Sequence, residues 1–202
     1  MMYNPDKKEI ILDRELSLLD RFVIDFCRLL DNYVLVSGYV SILFGRSRST
    51  EDVDLLVDEL PFSEFQKLWV KIYDNGFECV TTNNLKEAYQ SLQNHNIRFS
   101  RKGVAVPNME FKQAKNDIDE YSLRNKIAVK IRNKTLFVSP IEMQIAYKLF
   151  LAADGTDEEL ISDKDIEDAR HLYKVFLEKI NKEELLVLMD KLNVKKRFRL
   201  LK

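Results

Sequence analysis

The residues best suited to chemistry are two aspartates, Asp52 and Asp54, within the stretch 37–57. Side chains two positions apart on a strand point to the same face, so both carboxylates should project together while Val53 and Leu55 point into the core. Two carboxylates this close repel each other, and a hard cation such as Mg²⁺ relieves the repulsion by taking oxygen ligands from both. The pair therefore predicts a divalent-cation site.

A candidate phosphate-binding segment precedes the acids. Ser37 and Gly38 fall where a predicted strand meets a short helix, and their small side chains let a phosphate approach backbone N–H groups. Arg48 and Thr50 offer a guanidinium fork and a hydroxyl to the same phosphates. Each feature alone fits an ordinary turn, surface loop or solvated strand face. In this order and spacing, together with the acids, they predict a nucleotide site.

The elements that must position these residues alternate between strand and helix. Residues 13–30 carry apolar side chains at helical spacing and predict an amphipathic opening helix. The runs 33–37 and 53–57 are rich in β-formers, and the apolar segment between Gly38 and Gly45 predicts a short helix between two strands. A helix that begins at Pro61 follows. Beyond it, two strands at 77–81 and 96–100 are predicted on either side of a helix at 85–93. Three extended runs come next, at 104–114, 127–131 and 135–139.

The chain becomes helical from Ser139. Ser139 as N-cap, Pro140 at the first helical position and Glu142 three residues after the cap predict one helix start. A second capping box, Ser162 to Asp165, predicts a helix towards Ile180, and 182–192 predicts the last helix. We therefore predict an α+β fold, with an α/β domain at 1–138 and a helical C-terminal region at 139–202.

Composition limits the classes of protein that fit. With 32 basic and 33 acidic residues the net charge is −1, which excludes a uniformly basic protein that coats nucleic acid. The 46% of hydrophobic residues is enough to form a hydrophobic core. The longest apolar runs have four or five residues, too short for a membrane helix of about 20. A charged N-terminal stretch and two isolated cysteines, Cys27 and Cys79, predict a cytoplasmic protein without a membrane partner.

The stretch Ser37 to Val57 resembles the signature of the DNA polymerase β-like nucleotidyltransferase superfamily. In that signature a small-residue pair opens a short helix and a D-x-D strand follows after a dozen or so residues. The R-x-T-x-D-x-D form here, which ends in Asp52 and Asp54, is similar to the minimal nucleotidyltransferases, including the AbiEii-type toxin group. One departure is Ser37, where many members have glycine. The resemblance is strong over 33–58 only.

This resemblance implies a nucleotidyltransferase-type mixed β-sheet flanked by helices. It further implies Mg²⁺-dependent transfer of a nucleoside monophosphate from an NTP to an acceptor hydroxyl, with two metal ions expected. The superfamily takes a third carboxylate from a neighbouring downstream strand. Glu110 stands opposite the apolar Met109 and Phe111 in an alternating run, so we predict it as the third metal ligand and the base; Asp58 is the poorer candidate.

The helical half supplies further nucleotide-binding candidates. Lys148 lies on a helix that is apolar almost all round, so its ammonium needs a partner, and either a triphosphate or snorkelling to the surface would satisfy it. The stretch at 162–172 is similar to the K-D-x-x-D pattern of the AbiEii-type group, which nominates Asp165 and then Asp168. The alternative for Asp165 is a capping role with Ser162.

Several functions share this pattern. The acceptor implied by the resemblance is a tRNA or other RNA end, a protein hydroxyl, or a small molecule such as an aminoglycoside. A toxin-like enzyme that modifies RNA would be paired with an antitoxin. The alternative from another class is a catalytically inactive nucleotide-binding or protein-interaction domain of the same fold.

Overall fold

The computed structural model describes residues 1–153, 155, 160 and 162–201. One sheet contains nine strands, β1 (Met2–Asn4), β2 (Glu9–Leu12), β3 (Val34–Val36), β4 (Asp52–Val57), β5 (Phe77–Cys79), β6 (Ile97–Arg101), β7 (Asn108–Gln113), β8 (Ile127–Ile131) and β9 (Lys134–Val138). The described residues also form eight α-helices, α1 (Leu18–Cys27), α2 (Gly38–Leu43), α3 (Phe62–Asp74), α4 (Leu85–Leu92), α5 (Asp117–Arg124), α6 (Ile141–Leu151), α7 (Lys164–Phe176) and α8 (Lys182–Lys191). A 3₁₀ helix, Lys195–Leu201, follows them.

The sheet is mixed, with the order β1-β2-β8-β9-β3-β4-β7-β6-β5. Its centre is formed by β3, β4 and β7, where β4 runs antiparallel to β3 and parallel to β7. Within the described part of the chain only helical elements follow β9. The predicted α+β class is confirmed; the division into domains at residue 138 stays a prediction.

The alternation predicted for the two site-bearing strands is confirmed. Val53, Leu55, Met109 and Phe111 are at most 1% exposed and belong to the main core. Because side chains alternate along a strand, the acidic residues of β4 and β7 lie on the opposite face of the sheet. Helices α5 and α6 contribute residues to the cavity on that face.

Two parts of the fold were not predicted. The strands β1 and β2 form an antiparallel pair, and β2 joins the sheet by parallel pairing with β8. Both are too short to show a periodic pattern, and β2 depends on a partner strand that is distant in the sequence. The helix α5 had a local signal: the Asn116 side chain accepts hydrogen bonds from two backbone N–H groups at its start, and acidic residues fill its first turn.

The predicted cap at Ser139 is wrong. The N-cap residue of α6 is Pro140, and no side chain caps this helix. The Ser139 N–H donates to the carbonyl of Leu35 at 3.0 Å, so this residue continues the edge where β9 meets β3, and its hydroxyl contacts the Ser122 hydroxyl at 3.3 Å. Sheet pairing therefore takes precedence over the local capping signal.

The second predicted cap is displaced by one residue. Asp163, not Ser162, caps α7, and its carboxylate accepts hydrogen bonds from the N–H groups of Asp165 and Ile166 at 2.8 and 3.2 Å. The alternative that Asp165 completes the cap is therefore wrong. No helix in the described part of the chain is both long and apolar enough to cross a bilayer.

Candidate active site

Two of the predicted acids face each other across neighbouring strands. In the parallel pairing of β4 with β7, Asp54 lies directly opposite Glu110, and such strands are about 4.8 Å apart. Burial, followed by the charge and hydrogen-bonding contact of Glu110, raises the pKa of Asp54 to about 6. The sheet thus holds two carboxyl groups in a repulsive pair that a cation would relieve.

Asp52 occupies the same face but is turned towards an amide. Its Oδ1 accepts a hydrogen bond from the Nδ2 of Asn108 at 2.6 Å, and the two residues are register partners. Within the described residues, no group of three or more His, Cys, Asp or Glu side chains has the arrangement of a metal site. The donor set nevertheless fits Mg²⁺, which uses one or two carboxylates together with phosphate and water oxygens.

Glu110 is held by two partners on the β6 side. Its Oε1 accepts hydrogen bonds from the Nε of Arg98 at 2.8 Å and from Nη2 of the same guanidinium, and its Oε2 accepts from the Nδ2 of Asn96 at 2.8 Å. Arg98 is the register partner of Glu110. Sequence reasoning missed both partners, although alternation along the predicted strand at 96–100 places them on one face.

The turn that contains Ser37 has a backbone conformation that residues other than glycine rarely adopt. Ser37 has φ +62° and ψ −135°. Its N–H donates to the Oε1 of Gln144 at 3.0 Å, and a hydrogen-bonding contact from its hydroxyl lowers the pKa of Asp54 against the larger effect of burial. Gln144, which is 2% exposed, was not among the predicted site residues because no local signal marks a buried glutamine.

The Arg48 side chain packs closely against Gly38. A Cβ atom at Gly38 would lie 3.4 Å from the Nη2 of Arg48, so this guanidinium rests on the glycine backbone. The Nη1 of Arg48 donates to the Oδ2 of Asp168 at 2.6 Å, and the Thr50 hydroxyl donates to the backbone oxygen of Asp52 at 2.7 Å. Both side chains therefore support the segment that carries the acids, and their contact with phosphates stays a prediction.

Lys148 is buried rather than extended to the surface. It is 2% exposed, and its Nζ lies 2.6 Å from the Oδ1 of Asp165 and 3.0 Å from the Oδ2 of Asp168. Its charge is close enough to lower the pKa of Asp54, although burial outweighs it. The snorkelling alternative is wrong, and two protein carboxylates supply the partner that this lysine needs.

Asp168 connects three parts of the chain. It is fully buried and contacts Lys148 of α6 and Arg48 of the loop before β4, while the Nε of Arg46 lies 3.6 Å from its Oδ1. Arg46 also forms an ion pair with Glu167. Three cations, Arg46, Arg48 and Lys148, therefore surround the acidic side chains of α7.

A cavity of about 220 Å³ opens beside the acid pair. Its lining mixes polar and apolar side chains from both halves of the chain and includes Ser37, Asp54, Glu110, Met143, Gln144 and Tyr147. Concave sites with an apolar lining and a few placed polar groups are typical of small-molecule binding. Asp54 and Glu110 thus lie at the edge of a space in which part of a substrate could rest.

Comparisons with known proteins identify the fold. Neither a protein-family model nor a curated protein matches the chain. The structure is similar to that of ANT(2")-Ia, solved in complex with adenylyl-2"-tobramycin, with a TM-score of 0.54 and 12% identity over 89% of this chain and 99% of that chain. It is also similar to an antigenic nucleotidyltransferase-like protein from Paracoccidioides brasiliensis, with a TM-score of 0.50 and 16% identity over 89% and 90% of the two chains.

These two similarities identify the fold as that of nucleotidyltransferases. At 12% and 16% identity these likenesses show the fold alone, and membership of the predicted superfamily stays a prediction. The AbiEii-type subgroup stays a prediction, as do the roles assigned to individual residues.

Proposed function

We propose that this chain is a Mg²⁺-dependent nucleotidyltransferase that moves a nucleoside monophosphate from an NTP to an acceptor hydroxyl. The observation that carries the proposal is the Asp54 and Glu110 pair, opposed on parallel strands at the edge of a cavity that Ser37 also lines. The nucleotidyltransferase fold of ANT(2")-Ia supports the same reaction class.

The reaction assigns distinct roles to the acids. Asp52, Asp54 and Glu110 would hold Mg²⁺, two ions being expected, which would neutralise phosphate charge and lower the pKa of the acceptor hydroxyl. Glu110 accepts the hydroxyl proton as the acceptor oxygen bonds to the α-phosphorus. The bond from that phosphorus to the bridging oxygen breaks, and pyrophosphate leaves with the bonding electron pair.

The surrounding residues position the nucleotide. Ser37 and Gly38 present a narrow backbone surface to the phosphates. Arg48 and Lys148 each form an ion pair with Asp168, and the charge of Lys148 also lowers the pKa of Asp54 against the larger effect of burial. The buried Lys148 thereby partly offsets the charge that the carboxylates bring to the site.

The direct test is incorporation of label from each of the four NTPs into total RNA, whole-cell protein and an aminoglycoside such as tobramycin. Tobramycin belongs in the panel because ANT(2")-Ia was solved with its adenylylated form. We expect one acceptor class to acquire label with Mg²⁺, and Asp54→Ala to abolish the transfer. Asp58→Ala, on the exposed residue just after β4, is the matched control and should retain activity. Unchanged turnover in Asp54→Ala would rule out the assignment.

The same panel addresses the acceptor. Labelling of a tRNA or other RNA end, with growth arrest on expression, would support a toxin-like cytoplasmic enzyme that acts with an antitoxin. Labelling of a protein fraction would instead identify a hydroxyl-bearing side chain as acceptor.

A second candidate function is a nucleotide-binding or protein-interaction domain without catalysis. The observation that favours it is that the carboxylates already have protein partners: Asp52 has Asn108, and Glu110 has Arg98 and Asn96. Calorimetry of NTP binding with and without Mg²⁺ separates the two candidates. The enzyme requires metal-dependent affinity, whereas equal affinity without metal, together with no transfer, supports the binding domain.

A further inference from the structure

Resting on the proposed function, we propose that Gln144 is a positioning residue of the candidate active site. It fixes the Ser37 turn from the helical half of the chain, and through that turn it fixes the Asp54 side chain. Gln144 belongs to α6 and Ser37 precedes α2, 107 positions earlier in the sequence.

The backbone of Ser37 has a conformation that needs support. Its φ of +62° lies in the region that residues other than glycine rarely occupy. Such a conformation persists only when its surroundings hold it in place. The side-chain contact that the structure provides to this backbone is the hydrogen bond from the Ser37 N–H to the Gln144 Oε1, 3.0 Å long.

The packing of α6 holds Gln144 in place for this contact. Gln144 is 2% exposed and lies in the interior of α6, where packing limits its side-chain conformations. A partly buried N–H that loses its acceptor carries an energetic penalty, so loss of the amide oxygen should move the turn. The contact is therefore specific to the glutamine acceptor and is not general packing.

Ser37 in turn lies next to the strand pair that carries Asp54. Ser37 directly follows Val36, which is the register partner of Asp54 in the β3–β4 pair, and Ser37 and Asp54 line the same cavity. Gln144 and Lys148 are four residues apart, and residues at this spacing lie on one face of a helix. One face of α6 therefore carries both the acceptor that holds the Ser37 turn beside Asp54 and the buried cation Lys148.

The test is a double-mutant cycle between Gln144→Met and Ser37→Gly. Methionine keeps the approximate side-chain length and removes the acceptor, while glycine tolerates the positive φ without support. We expect Gln144→Met to lower kcat for monophosphate transfer about tenfold, equivalent to about 1.4 kcal/mol, with the KM for NTP changed less than about threefold. In the Ser37→Gly protein, Gln144→Met should lower kcat by less than about twofold.

The second readout does not depend on activity. Urea unfolding midpoints should show the same coupling, with Gln144→Met lowering the midpoint of the Ser37 protein more than that of the Ser37→Gly protein. Gln113→Met is the matched control. Gln113 is a fully buried glutamine of β7 whose amide reaches the carbonyl of Leu60 at 3.4 Å, and its loss should leave the ratio of kcat to KM unchanged.

The outcomes separate the two proposals. If the wild-type protein transfers no nucleotide, the proposed function fails, and the unfolding cycle still decides whether Gln144 holds Ser37. Wild-type kcat in Gln144→Met, or equal losses in both backgrounds, overturns the positioning role. A raised KM with unchanged kcat also overturns it, because Gln144 would then contact the substrate directly.

Discussion

Replacing Asp54 with asparagine should stabilise the metal-free protein at neutral pH while abolishing nucleotide transfer. Asp54 is desolvated and faces Glu110, and these two causes raise its pKa from 3.8 to about 6. Between these pH values the folded state keeps a proton that the unfolded state has released. Stability therefore falls as pH rises from about 4 to about 6, and the loss persists at higher pH.

The shift in pKa sets the size of the effect. At about 1.4 kcal/mol for each pKa unit, the ionised Asp54 carboxylate costs up to about 3 kcal/mol above pH 6. Part of that cost is repulsion between the Asp54 and Glu110 carboxylates. Because asparagine also changes the other interactions of Glu110, the variant should not recover the full amount. We therefore expect Asp54→Asn to gain about 2 kcal/mol at pH 7.5, which for a chain of this length corresponds to about 4–8 °C in Tm.

Urea unfolding at pH 4, 5, 6 and 7.5 in the presence of EDTA measures this dependence. The advantage of Asp54→Asn should be absent near pH 4 and complete by pH 7.5. Added Mg²⁺ should then stabilise the wild-type protein and leave the variant unaffected, since metal binding is linked to stability. The control variant Asp58→Asn, at an exposed residue, should change the free energy of unfolding by less than about 0.5 kcal/mol. Equal stability of the wild type and Asp54→Asn at pH 7.5, or a gain independent of pH, refutes the reasoning.

Three further variants test other contacts. Lys148→Met leaves Asp165 and Asp168 without their buried cation and should lower the free energy of unfolding in urea by about 3–5 kcal/mol. Lys195→Met, at an exposed ion pair, is the control and should lower it by less than about 1 kcal/mol. Arg98→Ala removes the guanidinium from Glu110, so calorimetry should show several-fold tighter Mg²⁺ binding, and unchanged affinity would contradict this. Arg197→Ala loses hydrogen bonds to two carbonyls at the end of α6 and should lower stability by about 1–3 kcal/mol in thermal unfolding; an unchanged Tm would count against that role.

Local signals were sufficient to predict the elements that carry the acids. The β-rich runs and the glycine-bounded segment between them predicted β3, α2 and β4, because short-range pattern determines which residues can alternate or turn there. Alternation placed Asp54 and Glu110 on one face. Their direct opposition required the register of β4 with β7, which no local pattern specifies.

The contacts of the site residues were less predictable for the same reason. Lys148 was predicted to need a partner, but the identity of that partner depends on how α6 packs against α7. Gln144 has no distinctive spacing at all, and its importance appears only when the turn at Ser37 is seen beside it. Sequence patterns thus predicted the candidate acids, while tertiary packing determines what supports them.

The buried carboxylate of Asp168 has a consequence for anyone who divides this chain into fragments. Its partners Arg46 and Arg48 precede residue 138, whereas Asp168 and Lys148 follow it. A fragment ending at 138 would expose two arginines that lack their shared counter-ion, and the complementary fragment would hold the acid without them. Work on either half in isolation would therefore begin from an unbalanced polypeptide, and co-expression of both pieces is the sounder way to obtain material.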